Sequence, residues 1–474
     1  MLIGGRTALL ALMIAGCPVT AAPADAPATD EAAFRGLYRE LVEIDSTRSA
    51  GGCTRAAEAM RARLLAGGIP AADTQILAPP GFPHDGGLVA VLHGRDRHAK
   101  AVLLLAHIDV VEAKREDWQR DPFKLVEENG WFYARGASDD KAMAAVFTDS
   151  LIRYLQEGFH PRRDIKLALT CGEETPGESN TVHWLTQTQP QVLDAAIALN
   201  EGAGGELDAH DKPIALQIQA GEKVYQDFAL EAADPGGHSS RPTRTNPIVR
   251  LSAGLARLGA YSFPVTLIPA TRAYFETQAR LAAPAVAADI QAVLATPPDA
   301  AAVERLWTVN PGWNGMLRTT CVVTEISGGH APNALPQHAR ANVNCRILPG
   351  MRISEVEQQI VRVLADDRIS VAPTGDPGSE SPPPPLNDRI LGPVRAVAAA
   401  IWPGVPIVPT MTTGATDGRY LNATGVPTYG LSGMFHDAEG SHAHGLNERI
   451  RVRSLLDGRR FLHDVVKLYA NAAD

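Results

Sequence analysis

The sequence has few cysteines, and no two of them are separated by just two residues. Five cysteines occur among 474 residues, and the missing Cys-x-x-Cys pattern argues against a zinc site built from thiolates. Long runs of Lys and Arg are also missing, and Lys+Arg 44 against Asp+Glu 53 gives a net charge of −9. This balance argues against nucleic acid or an anionic membrane as the main partner. Because no Gly-x-Ser-x-Gly sequence is present, nothing supports a serine hydrolase of the nucleophile-elbow type.

Long apolar runs are also missing, apart from one short run near the N-terminus. Residues 7–16 follow a single positive charge and are too short to span a bilayer, which is typical of a secretory signal peptide over residues 1–22. Two processing routes stay open. Thr20-Ala21-Ala22 suits ordinary cleavage, whereas Ile14-Ala15-Gly16-Cys17 resembles a lipobox that would leave a lipidated Cys17. We expect an exported protein, periplasmic or secreted, with a membrane contact only through such a lipid anchor.

Strand-like and helical runs alternate in the first half of the chain, which predicts an α/β layer with a central sheet. The pattern changes over residues 222–375 to the order strand, helix, strand, strand, helix, and this predicts a small inserted α+β unit. We therefore expect a larger domain made of residues 31–221 and 376–474. The inserted unit also contains an Ala- and Pro-rich segment with helical spacing at 264–318.

Two cysteines, Cys321 and Cys345, lie on neighbouring strand-like runs of the inserted unit. In an oxidising compartment they could pair. Two free buried cysteines explain the pattern equally well.

Polar residues follow three of the predicted strands. His107-Ile108-Asp109 comes after the strand at 101–106, Glu173-Glu174 after the strand at 165–170, and Glu201 after the strand at 195–199. Open α/β sheets place their ligands at such carboxyl ends. Each cluster alone also has a structural explanation, such as a solvated acidic turn or a histidine that only packs. Together they predict a metal site at one edge of the sheet.

Two further segments add to this set. Asp139-Asp140 opens the helix that begins near Lys141, where an aspartate can either cap the helix or bridge two metal ions. The turn at 441–448 offers His442 or His444. Imidazoles and carboxylates in these numbers suit two zinc ions that share one carboxylate and make a water nucleophilic at neutral pH.

At these residues the sequence resembles the co-catalytic zinc metallopeptidases, a family that includes aminoacylase, acetylornithine deacetylase, succinyl-diaminopimelate desuccinylase, carnosinase and glutamate carboxypeptidase. The resemblance runs from about residue 31 to the C-terminus. It implies a central mixed sheet flanked by helices, of the di-zinc exopeptidase type, with the inserted unit as a lid or dimerisation domain. The motifs that carry it are HIDVV at 107–111, DWQRDPF at 117–123, ARGASDDK at 134–141, CGEET at 171–175, NEG at 200–202, PGGHSSRP at 235–242, NALP at 333–336 and HGLNE at 444–448.

The resemblance implies a set of ligands for two Zn²⁺ ions, with Co²⁺ or Mn²⁺ as other metals the same donors can hold. His107, Asp139 and Glu201 would bind one ion, and Asp139, Glu174 and His444 the other. Asp139 would bridge the two ions. His444 is preferred over its neighbour at 442 because it directly precedes Gly-Leu-Asn-Glu.

The resemblance also implies catalytic and substrate-binding roles. Glu173 would act as the general base and then protonate the leaving amine, while Asp109 would orient a ligand histidine. His238 would stabilise the oxyanion, in several members of the family at the site of a neighbouring subunit, so that a homodimer would be functional. Asn333 and Arg346 would hold the substrate. Arg346 would bind the substrate carboxylate, unless it only pairs with an acid on its own sheet.

The predicted function is that of an exported metallopeptidase or N-acyl-amino-acid amidohydrolase. It would cleave an amide bond next to a free carboxylate, in a dipeptide, at a C-terminal peptide bond or in an N-acyl amino acid. By the same resemblance, Glu rather than Asp at 201 is closer to the deacylases and aminoacylases of the family than to its dipeptidases. The alternative is a non-enzymatic binding module on the same scaffold that captures a carboxylated ligand. Two departures from the family pattern are Ala142, where glycine is common, and the extra segment at 264–318.

Overall fold

The computed structural model describes residues 28–175, 179–375 and 380–473, so the predicted signal peptide and Cys17 lie outside the described residues. Its α-helices are α1 Ala28–Glu43, α2 Thr54–Ala66, α3 Lys141–Gln156, α4 Thr181–Thr188, α5 Pro190–Leu193, α6 Pro247–Gly259, α7 Pro269–Leu281, α8 Pro284–Leu294, α9 Ala300–Val309, α10 Pro311–Leu317, α11 Ile353–Leu364, α12 Asp388–Ile401, α13 Gly418–Ala423 and α14 Val452–Asn471. Its strands are β1 Thr74–Leu77, β2 Gly87–Leu92, β3 Val102–His107, β4 Val126–Glu128, β5 Trp131–Tyr133, β6 Ile165–Thr170, β7 Ile197–Asn200, β8 Gly205–Leu207, β9 Pro213–Glu222, β10 Val224–Ala233, β11 Gly237–His238, β12 Thr320–Gly328, β13 Ala334–Leu335, β14 His338–Ile347, β15 Ile369–Thr374, β16 Ile407–Thr412, β17 Thr428–Gly430, β18 Phe435–His436 and β19 Arg449–Arg451. Among the described helices, none combines the length and apolarity needed to cross a bilayer.

The larger domain is built on one mixed sheet. Its strand order is β1-β2-β6-β3-β7-β17-β9-β8-β18, and β16 pairs with β9 beside this path. The central strands β6, β3, β7 and β17 run parallel, whereas β1, β2 and part of the β9 region pair antiparallel. The predicted α/β class with a central mixed sheet flanked by helices is therefore confirmed.

Strand β3 lies at the centre of this sheet because both of its faces are apolar. Leu104 and Ala106 pack into the main core, while Leu103 and Leu105 pack into a second core on the opposite face. A strand buried on both sides in this way is typical of parallel sheets covered by helices. Its carboxyl end therefore meets the ends of its parallel neighbours, with His107 directly opposite Thr170 of β6.

The smaller unit is an antiparallel sheet of strand order β12-β14-β10-β15. Helices α6 and α11 cover one face, and their apolar side chains form a core that is separate from that of the larger domain. Strand β12 is the edge of this sheet, and most of its side chains are exposed. A short ribbon of β11 and β13 projects from the same unit.

The segment at 264–318 does not join the core of the small unit. Helices α7 to α10 place Phe275, Val293, Leu306 and Leu317 in the main core of the larger domain. An apolar helix face is stable when another element covers it, and α7 packs its face on β16. The predicted range 222–375 therefore contains two kinds of structure, the lid-like sheet and a helical layer that belongs to the larger domain.

Two disulfide bonds are present among the described residues. Cys321 and Cys345 pair across β12 and β14, where they are directly opposite each other, so of the two open alternatives the structure shows the bonded one. The second disulfide, Cys53–Cys171, joins the start of α2 to the turn after β6 and was not anticipated. This bond connects the turn that carries Glu173 to the start of α2.

Candidate metal centre

The predicted polar residues meet at the carboxyl edge of the central parallel strands. His107 is the last residue of β3, Glu173 and Glu174 follow β6, and Glu201 follows β7. Asp139 lies in the turn before α3, and its peptide bond to the next residue is cis. Because parallel strands end at the same edge, side chains that are far apart in sequence become neighbours.

The carboxylate of Asp139 lies between two histidines. Its Oδ1 is 3.1 Å from His107 Nε2, and its Oδ2 is 3.2 Å from His444 Nε2. Glu201 Oε1 is 3.8 Å from the first of these imidazoles. Glu174 Oε1 is 2.8 Å from the second. Each half of the site therefore has one histidine and one further glutamate, and the aspartate belongs to both halves.

The electrostatics of the site reflect many acids and few cations. Burial raises the pKa of Glu201 well above its usual value, and the neighbouring acids Glu173 and Asp139 add to this effect. Burial lowers the pKa of His107, but the facing carboxylates outweigh it and hold this pKa well above the usual value. Several buried carboxylates in one place are costly unless positive charge compensates them.

The donor set fits two divalent cations. His107, Asp139 and Glu201 each offer a ligand atom, and these atoms lie within 4.8 Å of one another. The same holds for Asp139, Glu174 and His444. Imidazole nitrogens and carboxylate oxygens are ordinary zinc ligands, and three protein ligands leave a position for water or substrate. The shared aspartate is the arrangement that a pair of ions bridged by one carboxylate requires.

Glu173 is placed beside this group. Its half-buried carboxylate lies near His107 and Glu174, and burial raises its pKa well above the usual value, with Asp417 as a further negative neighbour. Asp417 was missed by sequence reasoning. Its Oδ1 accepts a 2.6 Å hydrogen bond from Asn180 Nδ2, which also bonds to the main chain of the Glu173 turn at the carbonyl of residue 172.

The predicted orienting role of Asp109 corresponds to two contacts. The Nδ1 atom of His107 lies 3.1 Å from the main-chain carbonyl of Asp109 and 3.7 Å from its carboxylate. The carboxylate itself accepts a 3.0 Å hydrogen bond from the main-chain N–H of Glu174. Asp109 therefore connects the histidine of one half-site to the glutamate of the other.

Glu448 is a fully buried acid to which the sequence reasoning gave no role. Its buried carboxylate accepts hydrogen bonds from the main-chain N–H groups of Gly136, Ser138 and Asp139 at 3.0, 2.8 and 3.0 Å, and from Arg135 Nη1 at 2.8 Å. These four bonds hold the turn that presents Asp139. The sequence did contain one indication of this role: Glu448 lies four residues after His444, and a segment that provides one ligand can also position the main chain of another ligand.

The remaining predicted residues are carried by the small unit. His238 Nδ1 lies 2.8 Å from Ser240 Oγ on the exposed ribbon. The main-chain carbonyl of Asn333, beside the same ribbon, accepts a bond from residue 239. The guanidinium of Arg346 lies over the ring of Tyr225. The structure therefore groups the other seven predicted residues, Asp109 included, at the sheet edge and keeps these three on the neighbouring unit.

Two histidines and several carboxylates grouped in this way at the strand ends of an α/β sheet define the class of metal-dependent hydrolases with two ion sites. The chain belongs to Peptidase family M20/M25/M40, whose profile matches residues 103–468. The predicted family and the prediction of a hydrolytic enzyme are thereby confirmed.

Proteins of known function show the same relationship. The chain is 30% identical over 391 residues to human N-fatty-acyl-amino acid synthase/hydrolase PM20D1, covering 79% of this chain and 75% of that protein. It is 23% identical over 367 residues to mouse aminoacylase-1, covering 77% and 79%.

Solved structures show the same fold. An M20 metallo-carboxypeptidase from Sulfolobus solfataricus matches with a TM-score of 0.67 and 19% identity over 92% of this chain and 99% of that one. The YXEP protein of Bacillus subtilis, a dinuclear metal-binding peptidase, matches with a TM-score of 0.60 and 12% identity over 93% and 98%.

Proposed function

We propose that this protein hydrolyses N-acyl amino acids at the amide bond next to the free carboxylate. The observation that carries the proposal is the position of Asp139, with one oxygen toward His107 and the other toward His444. The acyl-amino-acid substrate is supported by the names of two relatives, a synthase/hydrolase of N-fatty-acyl amino acids and an aminoacylase. Glu201, at the position where the dipeptidase side of the family has Asp, favours the same substrate class.

Two divalent ions held by His107, Asp139, Glu174, Glu201 and His444 would lower the pKa of a water molecule and polarise the scissile carbonyl. Zn²⁺ suits these donors, and Co²⁺ or Mn²⁺ can occupy the same set.

The residues of the chain do the remaining chemistry. Glu173 takes the proton from the attacking water and passes it to the nitrogen of the leaving amino acid. Asp109 holds His107 and Glu174 in position relative to each other. His238 donates a hydrogen bond to the oxyanion, Arg346 holds the substrate carboxylate, and Asn333 contacts the substrate from its place beside the ribbon.

Export to the periplasm or the medium is part of the proposal. The apolar N-terminal run motivates it, with cleavage after Ala22 or lipidation at Cys17 as the two routes. The two disulfide bonds support it, because disulfides persist in oxidising compartments. An exported hydrolase of this class would release amino acids from external acylated substrates.

The direct test combines metal analysis with a substrate panel on the purified protein. We expect about two bound ions per chain, in line with a two-ion site, and release of free amino acid from N-acyl amino acids that a chelator abolishes and added Zn²⁺ restores. The matched control substrate is the corresponding N-acyl amino amide, which lacks the carboxylate and should react far more slowly. Two bound ions with faster hydrolysis of dipeptides would contradict the substrate class, and failure to bind metal would contradict the site.

A homodimer through the small unit is also proposed. Strand β12 is an edge strand with exposed apolar side chains, among them Val322, Val323 and Ile326 at 57%, 40% and 61% exposure, and α6 adds Ile248 and Val249 beside it. We call these five residues the edge-strand surface. An unprotected apolar edge is a ready site for pairing with a second chain. Pairing there would carry the ribbon with the oxyanion histidine toward the neighbouring subunit.

Ile326→Lys is expected to make the protein monomeric, because it places a charge in the centre of the edge-strand surface. If the ribbon acts on the neighbouring site, kcat should fall by about 10²-fold, as it should for His238→Ala, while metal content stays unchanged. Light scattering and kinetics measure both effects. Val361→Lys, at another exposed apolar residue, on α11, is the matched control. A fully active monomer would contradict the proposal for His238 in a neighbouring site.

A further inference from the structure

A second cavity adjoins the metal centre. It has a volume of about 260 Å³ and lies between helices α7 and α10 on one side and strands β9 and β16 on the other. Gly202 lines it, and Gly202 also lines the cavity of about 350 Å³ that contains Asp139 and Glu201. The smaller cavity therefore begins one residue away from a proposed metal ligand.

Gly202 forms the boundary between the two cavities, and it places no side chain there. Its φ angle is +129°, a conformation that favours glycine, and an added Cβ would collide with the side-chain oxygen of Gln219. Gln219 itself lines the smaller cavity. A group that extends from the reacting carbonyl past Gly202 would therefore meet Gln219 first.

The walls of the smaller cavity combine aromatic rings with neutral polar groups. Trp313 donates a 3.2 Å hydrogen bond from Nε1 to the hydroxyl of Tyr274, and the edge of Phe275 packs against the same indole. Methionine side chains and the polar side chains of glutamine, asparagine and threonine complete the walls. None of the described residues that line it is charged: they are Gly202, Gln217, Gln219, Tyr274, Asn310, Gly312, Trp313, Met316, Thr410, Met411, Thr412 and Thr413.

Three cationic side chains lie outside this lining: Arg346 on β14, Lys223 directly before β10 and Arg419 on α13. Burial lowers the pKa of Arg346 and of Lys223, and a like charge adds to this effect, from Arg419 on the first and from Arg346 on the second. A carboxylate needs such partners when it leaves water. In the proposed function Arg346 holds the carboxylate end of a substrate, which leaves an uncharged end for the smaller cavity.

We infer that this cavity binds the acyl group of the substrate, and that it selects an uncharged acyl group that contains an aromatic ring or an amide rather than a long alkyl chain. This inference rests on the proposed function. The rings of Trp313 and Tyr274 offer faces and edges for another ring. The amide of Gln219 and the threonine hydroxyls would lose hydrogen bonds to water without return if an alkyl chain covered them. The volume suits one ring-sized group, since sites for larger ligands usually exceed about 300 Å³.

The test compares three acyl groups on one amino acid. N-acetyl-, N-phenylacetyl- and N-dodecanoyl-leucine are assayed with the wild type and with Trp313→Ala. We expect the wild type to prefer the phenylacetyl substrate, and the variant to lose about tenfold in the ratio of phenylacetyl to acetyl kcat/KM. Trp307→Ala is the matched control, because Trp307 lies on α9 of the same helical layer, is 42% exposed and does not line the cavity.

A second variant protects the test against a folding defect. Thr413 is exposed at the cavity, so Thr413→Trp fills the space without removing a core side chain. We expect it to lose the preference for phenylacetyl, measured as the ratio of phenylacetyl to acetyl kcat/KM. An unchanged ratio in both variants would overturn the assignment of the cavity while leaving the proposed function in place. A wild-type preference for dodecanoyl that Trp313→Ala removes would overturn the predicted acyl class.

Binding is measured as well as turnover. Calorimetry with N-phenylacetyl-leucine separates the cavity from the reaction if none of the three substrates is hydrolysed. Binding that weakens about tenfold in Trp313→Ala, but not in Trp307→Ala, would support the cavity although the proposed function had failed. Absence of such binding would overturn the inference.

Discussion

Replacement of Glu173 by glutamine is expected to lower kcat about 10²- to 10⁴-fold, the usual contribution of a general base. Glutamine has nearly the same shape but cannot accept the proton of the attacking water. The half-buried carboxylate of Glu173 lies beside the proposed ligand group, in which Glu174, its neighbour in sequence, is the proposed ligand. Metal content should therefore stay near that of the wild type. Single-turnover kinetics and metal analysis on the same preparation measure the two quantities.

Glu116→Gln is the control for this experiment, because Glu116 is an exposed residue of the turn at 115–117, away from the ligand group. It should leave both quantities unchanged. If Glu173→Gln kept its turnover, the base would have to be another residue. If it lost its metal together with its turnover, Glu173 would be acting as a ligand.

Much of the site could be predicted from the sequence because its residues lie at the ends of strands and at the start of a helix. The strand before Glu173 has the predicted bounds, residues 165–170, in the structure. An apolar run that ends in His107 predicts both the strand and the edge at which its side chain lies. The choice of His444 over His442 did not come from periodicity, since both lie in one irregular turn, and it depended on the family resemblance.

Other features depend on contacts between distant segments. Cys53 and Cys171 are 118 residues apart, and no local pattern indicates that the folded chain brings them together. The helical spacing at 264–318 predicts helices but not the surface that their apolar faces cover. The face of α7 packs on β16 in the larger domain, which comes about a hundred residues later in the chain, and α8 packs on α7. An amphipathic pattern indicates that the apolar face of a helix is covered, but it does not indicate which strand or helix covers it.

Glu448 is the other residue for which we expect a large effect. The variant Glu448→Gln places an amide NH₂ group where one carboxylate oxygen now accepts two hydrogen bonds, so two donors lose their acceptor and face another donor. Arg135 also loses its buried counter-charge, and breaking a buried ion pair costs about 3–5 kcal/mol of the free energy of unfolding. Because the same bonds hold the main chain of Asp139, we expect metal affinity to fall about 10- to 100-fold.

Chemical denaturation and competition with a chelator measure these two effects of the Glu448 variant. Glu439→Gln is the matched control, since Glu439 lies in the same C-terminal segment and forms an exposed ion pair with Arg449, which contributes at most about 1 kcal/mol. Glu448→Asp keeps the charge and should retain more stability than the glutamine variant, yet its shorter side chain cannot reach all four donors. Lower stability with unchanged metal affinity would mean that the turn before α3 holds Asp139 without help from Glu448. Weaker metal binding in both Glu448 variants, at a temperature where each is folded, would mean that the charge and the reach of this one carboxylate together position Asp139 in the metal centre.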